Sequence, residues 1–320
     1  MLAEAERLGP GPSRSGAPSR PPAAERARPL AGVTAVDLSS FIAGPVVTRH
    51  LAMLGADVVK VEPPAGDPFR ALGPYFNGWN QGKRSIALDL KLDADRGVLH
   101  GLVAGADVVV ENFRPGVAER LGCSQEQLRA VRPDLVTVRS PGYGDDESMA
   151  HLAAFDPLLQ ALGGIMDAQG GDGDPVFLSV PVHDAATPLI AAFGVVAALW
   201  HRARGGPGQE VLTSLVRTTT AVQAAEMVRY DGRPATARGG FDFRGDPDGA
   251  GGGYVETGTG WVWREPLPAD ADEGTPPDVP VCTVGFVGSP HAAHGGHVAE
   301  HPDTEWGLLH QVGQLVAGAG

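Results

Sequence analysis

The chain has 320 residues, 42% of them hydrophobic, which is enough to build the core of one large domain or two smaller ones. Its net charge of −13 repels phosphate backbones, so nucleic acid is not expected as a partner. The two cysteines, Cys123 and Cys282, stand far apart and outside any metal-binding spacing, which predicts a reduced compartment, the cytoplasm.

No membrane partner is predicted. The longest apolar run, residues 188–200, is too short to span a bilayer and is followed at once by basic residues. Residues 1–28 lack an apolar segment, so no signal peptide is predicted, and three glutamates argue against a transit peptide. Because this stretch is rich in proline, alanine, arginine and serine, it is predicted to be a disordered tail.

Structure is predicted to begin at residue 30 with a strand, a helix and a second strand. Residues 33–38 form the first strand, residues 46–54 the helix and residues 57–62 the second strand. Pro45 suits an early helical position, and Gly55 suits the residue just after the helix. A strand–helix–strand unit this compact predicts that its two strands are parallel.

The same alternation continues along the chain. Further strands are predicted at residues 85–90, 107–111 and 135–140, with helices at 94–104 and 124–131, the last opened by a capping box of Ser124 and Gln127. This pattern predicts an α/β fold with an open, mostly parallel sheet covered on both faces. Ligands of such sheets bind beyond the carboxyl ends of the strands, here residues 39–45, 62–69, 111–115 and 140–144.

The rest of the chain divides into two parts. Helices are predicted at 155–162, 185–204 and 218–230, a strand at 176–180, and a strand or the start of a helix at 210–216; the helix at 185–204 is apolar on nearly every face and is expected to be central. From residue 245 the composition turns to glycine, proline and histidine without a sustained period, which predicts an irregular segment. The predicted organisation is therefore a tail (1–28), a large domain (29–244) and an atypical region (245–320).

The first possible site is the turn after the first strand. A strand–helix–strand unit with an acidic residue, Glu62, at the end of its second strand is typical of dinucleotide binding. The turn at residues 39–45 lacks the G-x-G-x-x-G pattern that lets a pyrophosphate approach the helix, which argues against a nicotinamide enzyme.

A group of cations and one aspartate are further candidates. Five basic residues near strand ends could bind a phosphorylated cofactor, although spacing alone favours ordinary solvated charges: Lys83, Arg84, Lys91, Arg114 and Arg120. Asp184 follows a predicted strand and precedes a predicted helix, which places it at the N-cap. It is either a plain cap or a functional carboxylate that the helix holds rigidly.

Two other chemistries are not supported. Histidines 291, 294, 297 and 301 match no closed metal site and have no rigid surroundings, so no metal is predicted. The chain also lacks the G-x-S-x-G turn of many serine hydrolases.

Taken together, a series of short motifs resembles the class III coenzyme A-transferase family. The matching stretches are residues 30–38, 43–45, 54–62, 82–91, 106–116, 155–157 and 205–210, including Gly82-Lys-Arg-Ser-Ile-Ala-Leu-Asp-Leu-Lys91 and Glu111-Asn-Phe-Arg-Pro-Gly116. Each is modest alone, but their order and spacing over residues 30 to about 240 are specific to that family.

The resemblance implies a Rossmann-like large domain, a small domain and an interlocked homodimer. It implies transfer of coenzyme A between an acyl-CoA and a carboxylic acid, with Asp184 as the nucleophile through an aspartyl anhydride and an aspartyl thioester. Coenzyme A would contact Ile42, Ala43, Leu88, Lys91, Asn112, Phe113, Arg114 and Arg120. Gly251–Gly253 would supply a loop that stabilises the oxyanions.

Two alternatives stay open. Acyl-CoA racemases of the same family need a histidine directly before the aspartate of the Phe155-Asp156 pair, and Phe155 cannot move a proton, so transfer is favoured. Residues from 245 onward do not resemble the family's small domain. An inactive scaffold or partner subunit that binds coenzyme A is therefore the competing class of function.

Overall fold

The structure is a computed structural model that describes residues 28–144, 148–228 and 230–233, together with five strands between residues 253 and 312. The first part is built on a six-stranded sheet in which every pair of neighbours is parallel. Its strands are β1 (Thr34–Asp37), β2 (Asp57–Glu62), β3 (Lys83–Ala87), β4 (Val108–Glu111), β5 (Val136–Arg139) and β6 (Glu210–Leu212), in the order β3-β2-β1-β4-β5-β6. The predicted α/β fold with a parallel sheet is confirmed.

Ten α-helices lie in this part of the chain, with a short 3₁₀ helix at Pro68–Leu72. They are α1 (Ala43–Met53), α2 (Pro74–Asn80), α3 (Asp93–Ala104), α4 (Val117–Arg120), α5 (Gln125–Val131), α6 (Asp156–Leu162), α7 (Ile165–Gly170), α8 (Val182–Ala203), α9 (Leu215–Val222) and α10 (Ala224–Met227). The predicted capping box at Ser124 and Gln127 is present at the start of α5.

Alternate residues of the valine-rich strands pack into two hydrophobic cores, one on each face of the sheet. Val108 and Val110 of β4 point into a core shared with α1 and α8, whereas Val109 points into a core shared with α3 and α5. Side chains alternate in this way because successive residues of a strand face opposite sides of a sheet. A parallel sheet buried on both faces therefore needs almost continuous apolar strands, which is what β4 has.

The strand order reverses at β1, which pairs with β2 on one side and β4 on the other. The connections leave this point in opposite directions, so a crevice opens beyond the carboxyl ends of β1 and β4. The turn after β1 and the loop after β4 are thereby brought together.

Helix α8 is less buried than the sequence predicts. Eight of its residues are buried, but one stripe of large apolar side chains is exposed in the described part of the chain, with Phe193 at 76% and Trp200 at 63%. The expectation that this helix is central holds for one side only, because the sheet, α1, α6 and α9 pack against α8 and leave this stripe uncovered. By length and composition alone α8 could also cross a membrane, but its packing on the sheet is that of a core helix of an α/β protein.

Three local predictions differ from the structure. Residues 176–180 form no strand, because Gln160 binds their backbone in place of a neighbouring strand. The predicted helix at 218–230 begins earlier, at Leu215 after the N-cap Ser214, and is divided into two helices, Leu215–Val222 and Ala224–Met227. The strand predicted at 85–90 lies at Lys83–Ala87.

Residues 245–320 contain five strands, so the prediction of an irregular segment is wrong at those positions. β7 (Gly253–Thr257), β8 (Gly260–Arg264) and β9 (Val279–Pro280) form one antiparallel sheet, and β10 (Val298–Asp303) pairs with β11 (Gly307–Val312). The missed signal was Gly258-Thr259 between two segments rich in aromatic and β-branched residues, a pattern typical of a hairpin. The rest of this region, and residues 1–27 of the predicted tail, lie outside the described residues.

Candidate active site

A cavity of about 830 Å³ opens beyond the carboxyl ends of β1, β4 and β5. Six of the residues predicted to bind coenzyme A or to react lie on its wall: Ile42, Ala43, Asn112, Phe113, Arg114 and Asp184. The strand ends bring these residues together although up to 142 positions separate them in the chain, counted from Ile42 to Asp184. The crevice expected from the strand order is therefore where the predicted site residues converge.

A second cavity of about 530 Å³ adjoins the first, beyond the ends of β1, β2 and β3. Leu88 and Lys91 line this cavity, and Phe113 and Ser40 line both cavities. The two spaces therefore meet at Phe113. Together they give an elongated site, with Asp184 in one cavity and Lys91 in the other.

Arg120 is the predicted site residue that lies apart. It is the last residue of α4 and is absent from the described walls of both cavities. Its guanidinium lies by the backbone of Gly116, where a Cβ atom would sit 3.4 Å from Nη1. A contact of Arg120 with coenzyme A stays a prediction.

The turn after β1 is held in an unusual backbone conformation. Phe41 has a φ of +65°, in the left-handed region that is uncommon for residues other than glycine. The side-chain amide of Asn112 accepts from the backbone N–H of Ser40 at 3.0 Å and donates to its carbonyl at 2.9 Å. Gly44 is needed here because a Cβ atom would overlap the side chain of Ser39. Asn112 therefore shapes the turn, whatever else it contacts.

Below this turn lies a cluster of buried charges. The carboxylate of Asp37 accepts from Lys83 Nζ at 2.8 Å and from Thr48 Oγ1 at 2.7 Å. Lys60 Nζ donates to the carbonyl of Ser39 at 2.7 Å and lies 3.0 Å from Oδ2 of Asp67. Burial raises the pKa of Asp37, but Lys83 and Lys60 outweigh it and hold that pKa well below its usual range. This cluster of buried ion pairs holds the backbone of the turn in place.

Two of the cations proposed for phosphate binding are thereby reassigned. Lys83 is buried and also donates to the carbonyl of Pro45, so it is a structural residue. Arg84 pairs with Asp57, the first residue of β2, near the amino ends of the strands, whereas the cavities lie beyond the carboxyl ends. Their positions could not be deduced from the sequence because neighbouring strand residues point to opposite faces.

Asp184 is the third residue of α8, and the N-cap position is held by Pro181, so its predicted place at the N-cap is wrong. The N–H groups of His183 and Asp184 both donate to Oδ2 of Asp156, at 2.6 and 3.1 Å. The side chain of Asp184 is thus released from capping and lines the cavity. Burial and the charge of Asp156 raise the pKa of Asp184 to about 7, against the opposing effect of His183.

Asp156 was considered from the sequence only as part of a racemase pair, and its role as the cap of α8 was missed. Its side chain is 2% exposed, and Oδ1 accepts from the amide of Gln160 at 2.6 Å. Burial raises the pKa of Asp156, but hydrogen bonds from His183, Gln160 and Asp184 outweigh burial and bring that pKa below its usual value. The carboxyl therefore stays ionised. The available signal was the spacing of Asp156 and Gln160, which puts them on one face of a helix one turn apart.

Three of the phenylalanines on the cavity wall pack against one another. The ring of Phe41 packs edge-on against Phe155, with 5.8 Å between centroids, and is tilted against Phe69 at 6.3 Å. Phe155 directly precedes Asp156 and carries no group that could exchange a proton. The position that a racemase would fill with histidine is thus an aromatic wall.

A metal centre has no support in the described part of the chain, where no group of three or more His, Cys, Asp or Glu side chains could hold an ion. Histidines 291, 294 and 297 lie outside the described residues. Cys123 is a buried thiol, and burial raises its pKa to about 12, so it is not a reactive thiolate.

Comparison with known families agrees with this geometry. The family model described as CoA-transferase family III matches residues 30–267. The chain belongs to CoA-transferase family III.

Several curated relatives are named CoA-transferases. The chain is 40% identical over 223 residues to a succinyl-CoA:mesaconate CoA-transferase of Haloarcula hispanica, covering 64% of this chain and 56% of the relative. It is 38% identical over 203 residues to an acetyl-CoA:oxalate CoA-transferase of Acetobacter aceti, covering 60% and 52%. The chain thus spans about half the length of the curated relatives it matches.

Solved structures give a similar result. A CAIB/BAIF family protein from Brucella suis matches with a TM-score of 0.74 and 27% identity, over 89% of this chain and 95% of that one. The hypothetical protein Rv3272 from Mycobacterium tuberculosis matches with a TM-score of 0.60 and 32% identity, over 63% and 58%.

Proposed function

We propose that the chain transfers coenzyme A between an acyl-CoA thioester and a carboxylic acid, with Asp184 as the covalent carboxylate. One observation carries the proposal: Asp184 lines the cavity in which five residues predicted to contact coenzyme A also lie. Family membership supports the general chemistry. The 830 Å³ cavity lies within the range of small-molecule and cofactor sites, and it opens into a second space where Lys91 offers a cation for a phosphate.

The reaction proceeds by exchange at the Asp184 carboxyl. An oxygen of Asp184 attacks the thioester carbonyl, the C–S bond breaks, and coenzyme A leaves as a thiolate, giving a mixed anhydride. The thiolate then attacks the aspartyl carbonyl and releases the first acid as its carboxylate. The acceptor carboxylate attacks the resulting aspartyl thioester, whose C–S bond breaks to give a second mixed anhydride and the thiolate. The thiolate then attacks the acceptor's acyl carbonyl, which forms the new acyl-CoA and releases Asp184 as its carboxylate. No net proton, electron or metal is required.

The ionisation of Asp184 controls the first step, because only the carboxylate is a nucleophile. Its pKa of about 7 makes it a stronger nucleophile than an ordinary aspartate once it is ionised. The rate is therefore expected to rise as the pH passes through 7. Other charged groups near the cavity are Asp156 on α6 and Arg114 after β4. Glycines 251–253 as donors to the oxyanions stay part of the proposal.

Covalent labelling tests the proposal directly. The purified full-length chain is incubated with succinyl-CoA and acetyl-CoA, each paired with a panel of mono- and dicarboxylic acids, and then treated with hydroxylamine. We expect exchange with at least one pair and a hydroxamate on Asp184 by mass spectrometry. Asp172→Ala, which removes an exposed carboxylate, is the matched control. Labelling elsewhere, or equal labelling of Asp184→Ala, would contradict the assignment.

The two alternatives give different results in the same samples. A racemase would exchange the α-proton of a 2-methylacyl-CoA for deuterium from the solvent. Because Phe155, which cannot transfer a proton, lines the cavity, we expect no such exchange. A scaffold would bind coenzyme A, measurable by calorimetry, with no exchange and no labelled Asp184.

We further propose that the chain works as a cytoplasmic homodimer. The resemblance to the family implies the dimer, and the exposed apolar stripe on α8 supports an assembly, since large exposed apolar patches mark interaction surfaces. Light scattering on the purified chain is expected to give twice the monomer mass, and a monomer at micromolar concentration would contradict this.

A further inference from the structure

The start of α8 is capped from a distant part of the chain. Pro181 stands at the N-cap and has no side-chain acceptor, so the first N–H groups of the helix have no local partner. They bind instead to Asp156, 27 and 28 residues away. An aspartate at the N-cap itself would cap a helix as well, so the use of a distant carboxylate needs a reason.

Capping by Asp156 also places two carboxylates close together, which is electrostatically unfavourable. Asp156 is buried, and its negative charge lies close enough to Asp184 to oppose the ionisation of that residue. A buried carboxylate is tolerated only when its oxygens are hydrogen-bonded, and both oxygens of Asp156 are. A neutral cap would satisfy the helix without the repulsion, so stability alone does not account for Asp156.

Gln160 links this cap to the wall of the cavity. Its side chain is fully buried, and its Nε2 donates to Asp156 at 2.6 Å and to the carbonyl of Leu178 at 3.1 Å. Its Oε1 accepts from the N–H of Leu178 at 3.0 Å. On either side of Leu178, Phe177 and Ser179 line the cavity. One buried amide thus fixes both the cap of α8 and the segment that faces Asp184.

We propose that Asp156 is a positioning residue for Asp184: its carboxylate fixes the backbone from which Asp184 reaches the cavity, and Gln160 couples that backbone to the wall at residues 177–179. This inference rests on the proposed function of Asp184. The charge of Asp156 adds a second effect, because it opposes ionisation of Asp184 and so keeps that carboxylate basic. His183 beside Asp184 acts in the opposite sense, and Arg114 is a further charged residue that lines the cavity.

The experiment compares two variants of the full chain. Asp156→Asn keeps an oxygen that accepts from the helix but removes the charge; Asp156→Ala removes both. Asp172→Asn is the control on an exposed carboxylate. Three quantities are measured: the titration of the Asp184 carboxyl by ¹³C NMR, amide hydrogen exchange at residues 182–186, and kcat and KM for exchange. The first two do not require activity, so they test the positioning role even if the proposed function fails.

For Asp156→Asn we expect the Asp184 titration to move to lower pH, with amide exchange within about tenfold of the parent. For Asp156→Ala we expect faster amide exchange and a fall in kcat of about 100-fold, with KM for the acyl-CoA within about threefold, because a misplaced reacting group lowers kcat. Unchanged amide exchange at residues 182–186 in Asp156→Ala, or a kcat within threefold of the parent in that variant, would overturn the positioning role. An unchanged Asp184 titration in Asp156→Asn would overturn the effect of the charge. If the alanine variant does not fold, the asparagine variant decides.

Discussion

Two carboxylates, the fully buried Asp37 and the partly buried Asp184, lie near the same crevice and have opposite electrostatic surroundings. Asp37 faces the ammonium groups of Lys83 and Lys60, and its pKa is held well below the usual range. Asp184 faces the carboxylate of Asp156, and its pKa rises to about 7. Burial raises both, so the charged neighbours decide the difference. One carboxylate is a permanent charge that holds the turn, whereas the other can change its state near neutral pH, as reactive groups do.

The largest effect on activity is expected at Asp184, the carboxylate whose pKa lies near neutral. Asp184→Ala should lower the rate of acyl exchange by about 10³-fold or more, because removing a covalent nucleophile removes the pathway. Binding of coenzyme A, measured by calorimetry, should persist, since Asp184 lies at one end of an elongated site. If Asp184→Ala exchanged acyl groups at a rate within about tenfold of the parent, Asp184 would not be the covalent nucleophile.

A large loss of stability is expected when Asp37 loses its partner Lys83. Lys83→Met leaves Asp37 buried with one ammonium fewer, which should cost about 3–5 kcal/mol in the free energy of unfolding, measured in urea. The double variant Asp37→Asn with Lys83→Met removes both charges and should recover part of that loss. A single variant as stable as the parent would mean that this pair does not support the turn.

The pH dependence of stability distinguishes the two residues by sign. Because the folded pKa of Asp184 lies above its ordinary value of 3.8, ionisation favours the unfolded chain as the pH rises from about 4 to 7. Asp184→Asn should therefore be more stable than the parent at pH 8, on the order of 1–3 kcal/mol, and equal to it at pH 4. For Asp37 the sign is reversed: its contribution is present above about pH 4 and is lost as the pH falls.

Urea unfolding of both Asn variants at pH 4, 6 and 8 measures these contributions. A gain in stability that is the same at all three values would exclude the raised pKa of Asp184 as its cause.

The smallest effects are expected at exposed cations. Lys91→Ala and Arg120→Ala should each weaken binding of coenzyme A about 5- to 10-fold, less at high salt, and should not weaken binding of pantetheine, which lacks the nucleotide phosphates. Arg84→Ala is the matched control, because Arg84 lies near the amino ends of the strands and lines neither cavity as described. An equal loss for pantetheine would show that these residues do not contact phosphate.

The sequence was most informative where local patterns repeat. Alternating apolar segments predicted the parallel sheet, and the strand ends predicted the crevice that holds Asp184, Asn112 and Arg114. These inferences hold because the period of apolar residues reports which backbone form buries them. The Gly258-Thr259 hairpin signal was equally local, and it was missed because the glycine-rich composition around it dominated.

What only the tertiary structure decided depends on approach between distant segments. Asp156 caps the helix that carries Asp184 from 27 and 28 residues away, Lys83 is directed inward onto Asp37, and α8 keeps one apolar face exposed. None of these has a local period, because each results from how layers pack once the sheet exists. The sequence by itself determined the layers, and its resemblance to a family pointed to Asp184. Packing determined which charges surround Asp184, and hence its raised pKa.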